Sequence, residues 1–495
     1  MTSETFVNNA DTPSLIAPKA ILTTIIKPFI EKLSPDVTSA NRLLSGILLL
    51  SLLAKLFLIL HGGDQERSIL QMEYGFGPVI TSLYNHGSLE ACGVAIGLDF
   101  CGVATRMPLL PVLYVALAKV AGIQHSHVAI AKNILCTALL WFAAVYFCRA
   151  LARYPRHRLG LIALSAILFL GPQYLKHAVS IQYEESLLVD LLPAYFLLFG
   201  ALFVRQISAR SLAGADYCIL AFLLLLGSSL YFLKSSMLPF SVALILAPLA
   251  VNKVPTWLRL IAVLPFLLAL VWWGNVNYQY HGEVRLGSSY NGENFYRGQN
   301  AYSYKVYPEL NLDRLIDSSE VILNSGEHFP LPNWLSHFQP FKGEWEWHDY
   351  FNKLSGQWIK EHPAEAFSFT LRKIYVFFLE PRKVPFRQTT HPEREPHDYS
   401  QASLVAGIIW ITLLRVLFFL GVAMAIKALW RRRKLGNYAL WHLLFIGTYA
   451  APYIAGFSYQ RHIAPMLIFS SILLLVLTLN NMQVGENRLE MSEVK

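Results

Sequence analysis

The chain has 495 residues, 54% of them hydrophobic and 15% charged, with a formal net charge of +9 and a mean hydropathy of +0.41. Soluble domains carry about 25% charged residues, so this composition excludes an ordinary soluble globular protein, and the length counts membrane spans. The positive charge does not indicate nucleic-acid binding, because Lys and Arg fall in short runs between hydrophobic segments and form no single basic patch.

Residues 1 to 13 are polar and lack the basic start of a signal peptide. Residues 14 to 33 are apolar but interrupted by Lys19, Lys27 and Pro28. They read as an amphipathic helix on the membrane surface, within a cytoplasmic tail covering 1–41. A span needs about 20 largely apolar residues. Ten such stretches follow, at 42–61, 128–148, 159–175, 186–204, 216–233, 237–251, 259–274, 403–426, 437–457 and 463–480. The predicted fold is an all-α polytopic membrane protein of about ten transmembrane helices.

Charge placement orients these spans. Arg149, Arg153, Arg156 and Arg158 follow the second stretch, and Arg205 and Arg210 the fourth. Lys253 and Arg259 follow the sixth, and Arg431, Arg432, Arg433 and Lys434 the eighth. All fall on one side if the N-terminus is cytoplasmic, while the opposite short loops carry only Lys176, Lys234 and Arg461. By the positive-inside rule both termini, including the tail 481–495, are expected in the cytoplasm.

Two external segments are long. The first, 62–127, interrupts an N-terminal transmembrane module, 42–274. Its apolar piece after Pro108-Leu109-Leu110-Pro111 is short and reads as a helix dipping into the interface. A crossing there would put the arginine runs outside. The second, 275–402, is rich in Tyr, Trp, Gly, Asn and His, and is too aromatic to be structureless. Within it, 351–379 reads as helical with a break at Pro363, the second half amphipathic and resting on the outer face. Residues 380–400 read as a linker to the C-terminal transmembrane helices, 403–480. Cys136, Cys148 and Cys218 lie in or beside spans as packing residues. Cys92 and Cys101 share the first external segment, where two readings stand: a disulfide in an oxidising compartment, or two free thiols.

Residues able to do chemistry gather at the external ends of the spans. Met72-Glu73-Tyr74-Gly75-Phe76 leads through Val79, Ile80 and Leu83 to Gly87, and Asp64-Gln65-Glu66 lies nearer the first span. A carboxylate there suits a general base or a divalent-metal ligand; the bland alternative is a solvated loop acid. Arg106 precedes the interfacial helix. Tyr183-Glu184-Glu185-Ser186 opens the fourth span, where the helix dipole by itself favours acids. Asp190, one turn deeper, should face the bundle interior. Lys234 closes Gly227-Ser228-Ser229-Leu230-Tyr231-Phe232-Leu233 at an external mouth, and Arg461-His462-Ile463-Ala464-Pro465 opens the last span. Each of these cations suits a phosphate or can simply snorkel to headgroups.

In this order the elements resemble the C-type glycosyltransferase superfamily, specifically its bacterial branch related to glycosyltransferase family 39, the lipid-linked-sugar-dependent protein mannosyltransferases. The resemblance runs over about residues 42 to 480. Glu73 matches the second acid of the family's Asp-Glu pair, with Met72 in place of the aspartate; Asp64 is the alternative match. Arg106 to Pro111 resembles Arg-Pro-Pro-Leu-Tyr-Pro, and Arg461 to Pro465 resembles Arg-Tyr-x-x-Pro. In the large segment, Gly292-Glu293-Asn294-Phe295-Tyr296-Arg297-Gly298 resembles Gly-x-Asn-Leu-Tyr-x-Gly of bacterial relatives. Trp358 to Pro363 leading to Leu371-Arg372-Lys373 resembles their Ile-x-x-x-Pro…Lys segment.

The resemblance implies a C-type glycosyltransferase architecture and transfer of a sugar from a polyprenyl-phosphate donor to a lipid, polysaccharide or protein acceptor. The reaction would take place at the external face of a bacterial inner membrane. Glu73 or Asp64 would be catalytic, as base or as ligand of a divalent ion (Mg, Mn or Ca). Lys234, Arg461 and Arg106 would bind the donor phosphate, and Tyr183, Glu184, Glu185, His462, Asn294 and Tyr296 would position substrate. Two rivals differ in class. A polysaccharide polymerase or ligase would depend on basic residues in the large segment. A transporter would need intramembrane polar residues and broken helices.

Overall fold

A computed structural model describes residues 35–62, 67–72, 75–92, 101–207, 214–251, 256–308, 312, 320–322, 328–330, 341–379, 401–430, 436–456 and 460–493. The expected surface helix at 14–33 and the linker at 380–400 lie outside the described residues. In chain order the helices of the first half are α1 (Val37–Leu60), α2 (Phe76–His86), α3 (Leu109–Ala121), α4 (His125–Ala150), α5 (Pro155–Phe169), α6 (Pro172–Val179), α7 (Glu185–Ile207), α8 (Gly214–Leu233) and α9 (Leu238–Val251). Those of the second half are α10 (Thr256–His281), α11 (Tyr290–Arg297), α12 (Ala301–Val306), α13 (Glu344–Glu361), α14 (Pro363–Phe378), α15 (Gln401–Trp430), α16 (Gly436–Ala455) and α17 (Gln460–Glu493). Two small antiparallel hairpins, β1 (Ala91–Cys92) with β2 (Cys101–Gly102) and β3 (Glu320–Ile322) with β4 (His328–Pro330), complete the described elements.

The architecture is that of an all-α integral membrane protein. Nine of the ten apolar stretches each coincide with one helix. Among the described residues six helices are long and apolar enough to cross a membrane, namely α1, α4, α7, α8, α15 and α17. The stretch at 159–175 differs from expectation. It is two helices, α5 and α6, bent by 57°, because Pro172 forces Gly171 out of the helical region to φ −71°, ψ 142°. Helix α9, at 14 residues, rises about 21 Å, short of the roughly 30 Å hydrocarbon core. Helix α3, with 13 residues, is likewise too short to cross.

Helix α1 shows how sequence becomes orientation. Asp36 caps it, its carboxylate accepting the Ser39 N–H at 2.6 Å. Ala40, Leu44, Leu48, Ser51, Lys55 and Ile59 form the buried stripe at helical spacing. Leu43, Leu50, Leu53 and Phe57 are exposed, the side a lipid-facing helix turns outward. Helix α7 is apolar all round, so it lies at the centre. Its side chains from Leu187 to Leu202 are almost all buried, packed against α4, α6, α8 and α17.

The segment after α10 folds over one end of the helix bundle. Helix α11 packs on α13, with Tyr290 against Trp347 and Tyr296 against Phe351. Both glycines of the Gly292–Gly298 element are sites of close backbone approach. A Cβ at Gly292 would meet His348 O at 2.4 Å, and one at Gly298 would meet Gly456 O at 1.9 Å. Helices α13 and α14 are separated at His362, before Pro363, where the sequence puts the break.

Candidate functional site

The start of α7 places Glu185 at one end of the bundle with its carboxylate buried. Glu185 Oε1 accepts from Lys234 Nζ at 2.8 Å and from the Tyr453 hydroxyl at 2.8 Å, and lies 3.7 Å from His462 Nε2. Lys234 ends α8 and keeps 22% of its side chain exposed against 1% for Glu185. It is therefore the open half of the pair. Its ammonium also lies over the Tyr453 ring, 4.9 Å from the centroid. The His462 ring stacks on the other contact surface of Tyr453 at 4.3 Å, and the Tyr449 hydroxyl donates to His462 O at 2.9 Å.

Arg461 precedes His462 and lies over the Tyr183 ring at 5.5 Å; the Tyr183 hydroxyl in turn meets His177 Nδ1 at 3.0 Å. Arg461 thus brings a second cation near the carboxylate that Lys234 pairs with, and two cations at one mouth suit an anion. The backbone carbonyl of Glu184 accepts the Leu187 N–H at 3.0 Å and so takes part in the first turn of α7.

Helix α11 bridges the two cationic sides. At one end Asn291 Nδ2 donates to Ser235 Oγ at 2.8 Å, next to Lys234. At the other, Gly298 abuts Gly456 at the end of α16. Asn294 and Tyr296 lie on this helix, partly buried. The Tyr296 ring packs on Phe351, and burial raises its hydroxyl above the usual tyrosine range.

Arg106 lies over the rings of Phe76 at 4.8 Å and Tyr290 at 3.9 Å. The strap before it is latched by Glu344. That buried carboxylate accepts from Val103 N at 2.9 Å, Ala104 N at 3.0 Å, Ser289 Oγ at 2.8 Å and His281 Nε2 at 2.7 Å. Cys92 and Cys101 are bonded and close the hairpin from which the strap emerges, so the disulfide reading holds. Beside the latch, His348 is half-buried and held below the usual histidine range by that burial. Its Nδ1 lies 2.9 Å from Ser289 O and 3.0 Å from Gly292 N, and its Nε2 lies 2.7 Å from Asn352 Nδ2.

A further polar network lies inside the bundle. Asp190 faces inward as expected, with Lys55 Nζ at 3.2 Å and the Tyr174 hydroxyl at 2.5 Å. Five residues from the end of α1 at Leu60 and from the start of α7 at Glu185, Lys55 and Asp190 sit about 7.5 Å along the helices from them. Asp64 and Glu73 lie outside the described residues. Among the described residues no group of three or more His, Cys, Asp or Glu could hold a metal ion.

The structure therefore brings together Lys234, Arg461, Glu185, Tyr183 and His462, and stacks Arg106 on the rings of Phe76 and Tyr290. Sequence reasoning missed Tyr453, His177, Glu344, Ser289 and His281, whose partners lie far along the chain. Lys55 alone carried a legible signal, as a lysine inside an apolar span. No protein family, curated protein or solved structure matches this chain.

Proposed function

We propose that this protein is a membrane glycosyltransferase that moves a sugar from a polyprenyl-phosphate donor to an acceptor at the external face. The observation that carries the reading is the pairing of Lys234 and Arg461, 227 positions apart, around the single buried carboxylate of Glu185. A lipid-linked donor would lay its tail among the spans and its phosphate against these cations. Transfer breaks the bond from the anomeric carbon to the phosphate oxygen and forms one to the acceptor oxygen. The acceptor proton passes to a carboxylate of the first external segment, Glu73 or Asp64. The electron pair leaves with the phosphate, whose charge Lys234 and Arg461 stabilise. A divalent ion, where one is used, would belong to the same two acids. Glu185 is not the base in this scheme, because its carboxylate is already paired with Lys234 and accepts from Tyr453 through Oε1. Inversion at the anomeric carbon belongs to the resemblance alone. Ten spans, cytoplasmic termini and a bacterial inner membrane belong to the same proposal; the Cys92–Cys101 bond supports an oxidising compartment on the strap's side.

The experiment compares envelope glycolipids and glycoproteins, by mass spectrometry, in cells with and without the gene, and then with Lys234→Ala and Arg461→Ala. A sugar-bearing species should vanish without the gene, and each variant should lose about 2–4 kcal/mol of transition-state stabilisation. Unchanged glycans in the deletion would refute the reading. Glu73→Gln, with Asp64→Asn as its control, assigns the acid; full transfer in the double variant would remove the acid-dependent step.

A transporter remains the second reading, on one observation: the buried Lys55–Asp190–Tyr174 network beside the 57° bend between α5 and α6. Solute uptake by proteoliposomes in the absence of any acceptor would favour it.

A further inference from the structure

Helix α14 carries a lysine with no exposure at all, Lys373. Its ammonium donates to Gly298 O at 2.8 Å, Ala455 O at 3.1 Å and Gly456 O at 2.9 Å. These carbonyls are the C-terminal ends of α11 and α16. Such groups have no partner within their own helices and carry the negative ends of the helix dipoles. Gly298 and Gly456 approach too closely for any side chain to intervene, so two like dipole ends meet with little water between them. An ammonium has three donors and no acceptor, and here all three are used.

What hangs from these two ends is the candidate site. Four residues beyond Gly456, α17 opens with Gln460, and Arg461 and His462 follow. The other end of α11 reaches Ser235 beside Lys234. One buried charge therefore ties the wall bearing Arg461 to the helix that contacts the wall bearing Lys234. The opposite wall is built by the same device. Lys132 Nζ donates to Ala178 O, to Ser180 O at 3.0 Å and to Ser186 O at 3.2 Å, across the reversal from α6 into α7 that presents Glu185.

We propose that Lys373 is a positioning residue of the anion site, tying the ends of α11 and α16 so that Arg461 and His462 meet Glu185 and Lys234 in register. The inference rests on the reading of that site as a lipid-phosphate site. A lysine that merely stapled the external segment would lower stability and leave anion binding independent of Arg461.

Full-length protein in lipid nanodiscs separates the two, with farnesyl phosphate as the probe. Affinities are measured for the wild type, K373M, R461A and the double variant. Each single change should weaken binding about tenfold, and the double variant should bind no more weakly than R461A, since Lys373 acts through Arg461. Additive losses of about a hundredfold, or wild-type affinity in K373M, overturn the positioning role. Wild-type affinity in R461A overturns the phosphate reading itself, and this inference with it. If K373M does not fold, K373Q keeps two of the three donors and should bind with intermediate affinity; wild-type affinity in that variant overturns the proposal.

Discussion

Removing the Glu344 carboxylate should release the strap at residues 102–106. In Glu344→Ala the Val103 and Ala104 N–H groups and the Ser289 hydroxyl all lose their acceptor. Each buried group left unsatisfied costs about 1–3 kcal/mol. His281 keeps 20% of its side chain exposed and can turn to water, so it adds little. Cys101 is exposed, and opening of the strap toward solvent limits the total to about 3–5 kcal/mol. Glu344→Gln keeps one acceptor oxygen and should cost about 1–2 kcal/mol, the loss of charge assistance. Hydrogen exchange reads this directly, because the strap can open without global unfolding. Protection of the Val103 and Ala104 amides should fall by about a hundredfold to several thousandfold in the alanine variant and by roughly tenfold in the glutamine variant. Protection within about threefold of wild type in Glu344→Ala would show that the carboxylate is not what holds the strap.

Three further outcomes follow from the same structure. Because burial depresses the folded-state pKa of His348, the unfolded chain takes up its proton first as the solution is acidified. The α11–α13 contact should therefore be fully stable above the unfolded histidine value of about 6.5 and lose stability as pH falls through the folded value; protease resistance of the external segment should show this decline, and His348→Gln should flatten it. Asp190→Asn leaves the Lys55 ammonium buried without its counter-charge and should cost about 3–5 kcal/mol, seen as a lower thermal midpoint in detergent; an unchanged midpoint would mean that Lys55 is neutral in the bundle. Single cysteines introduced at position 353, exposed in the long segment 275–402, and at position 432 test the arrangement of the spans, with an impermeant thiol reagent expected to label 353 from outside and not 432; the reverse pattern would invert the topology.

Much of the scaffold was legible in the sequence, since hydrophobic length is a local property. The apolar stretches, the short α3 and the break at Pro363 all depend on residues close in the chain. The inward orientation of Asp190 was legible too, because a carboxylate facing lipid is costly wherever its partner lies. Individual site residues could be proposed as acids and cations at span ends. Their grouping could not. Glu185 finds Lys234, Tyr453 and His462 from three other segments, and Glu344 latches a strap about 240 positions away. Such contacts depend on which helix faces pack together, and periodicity within one helix does not encode its neighbour. The same reason hid the setting of Arg106: nothing local distinguishes an arginine stacked on the rings of Phe76 and Tyr290 from one that faces solvent. Sequence thus determined which segments enter the membrane and which residue types stand at their mouths, whereas only packing decided which charges meet, because pairing energy belongs to distance in space and not to distance along the chain.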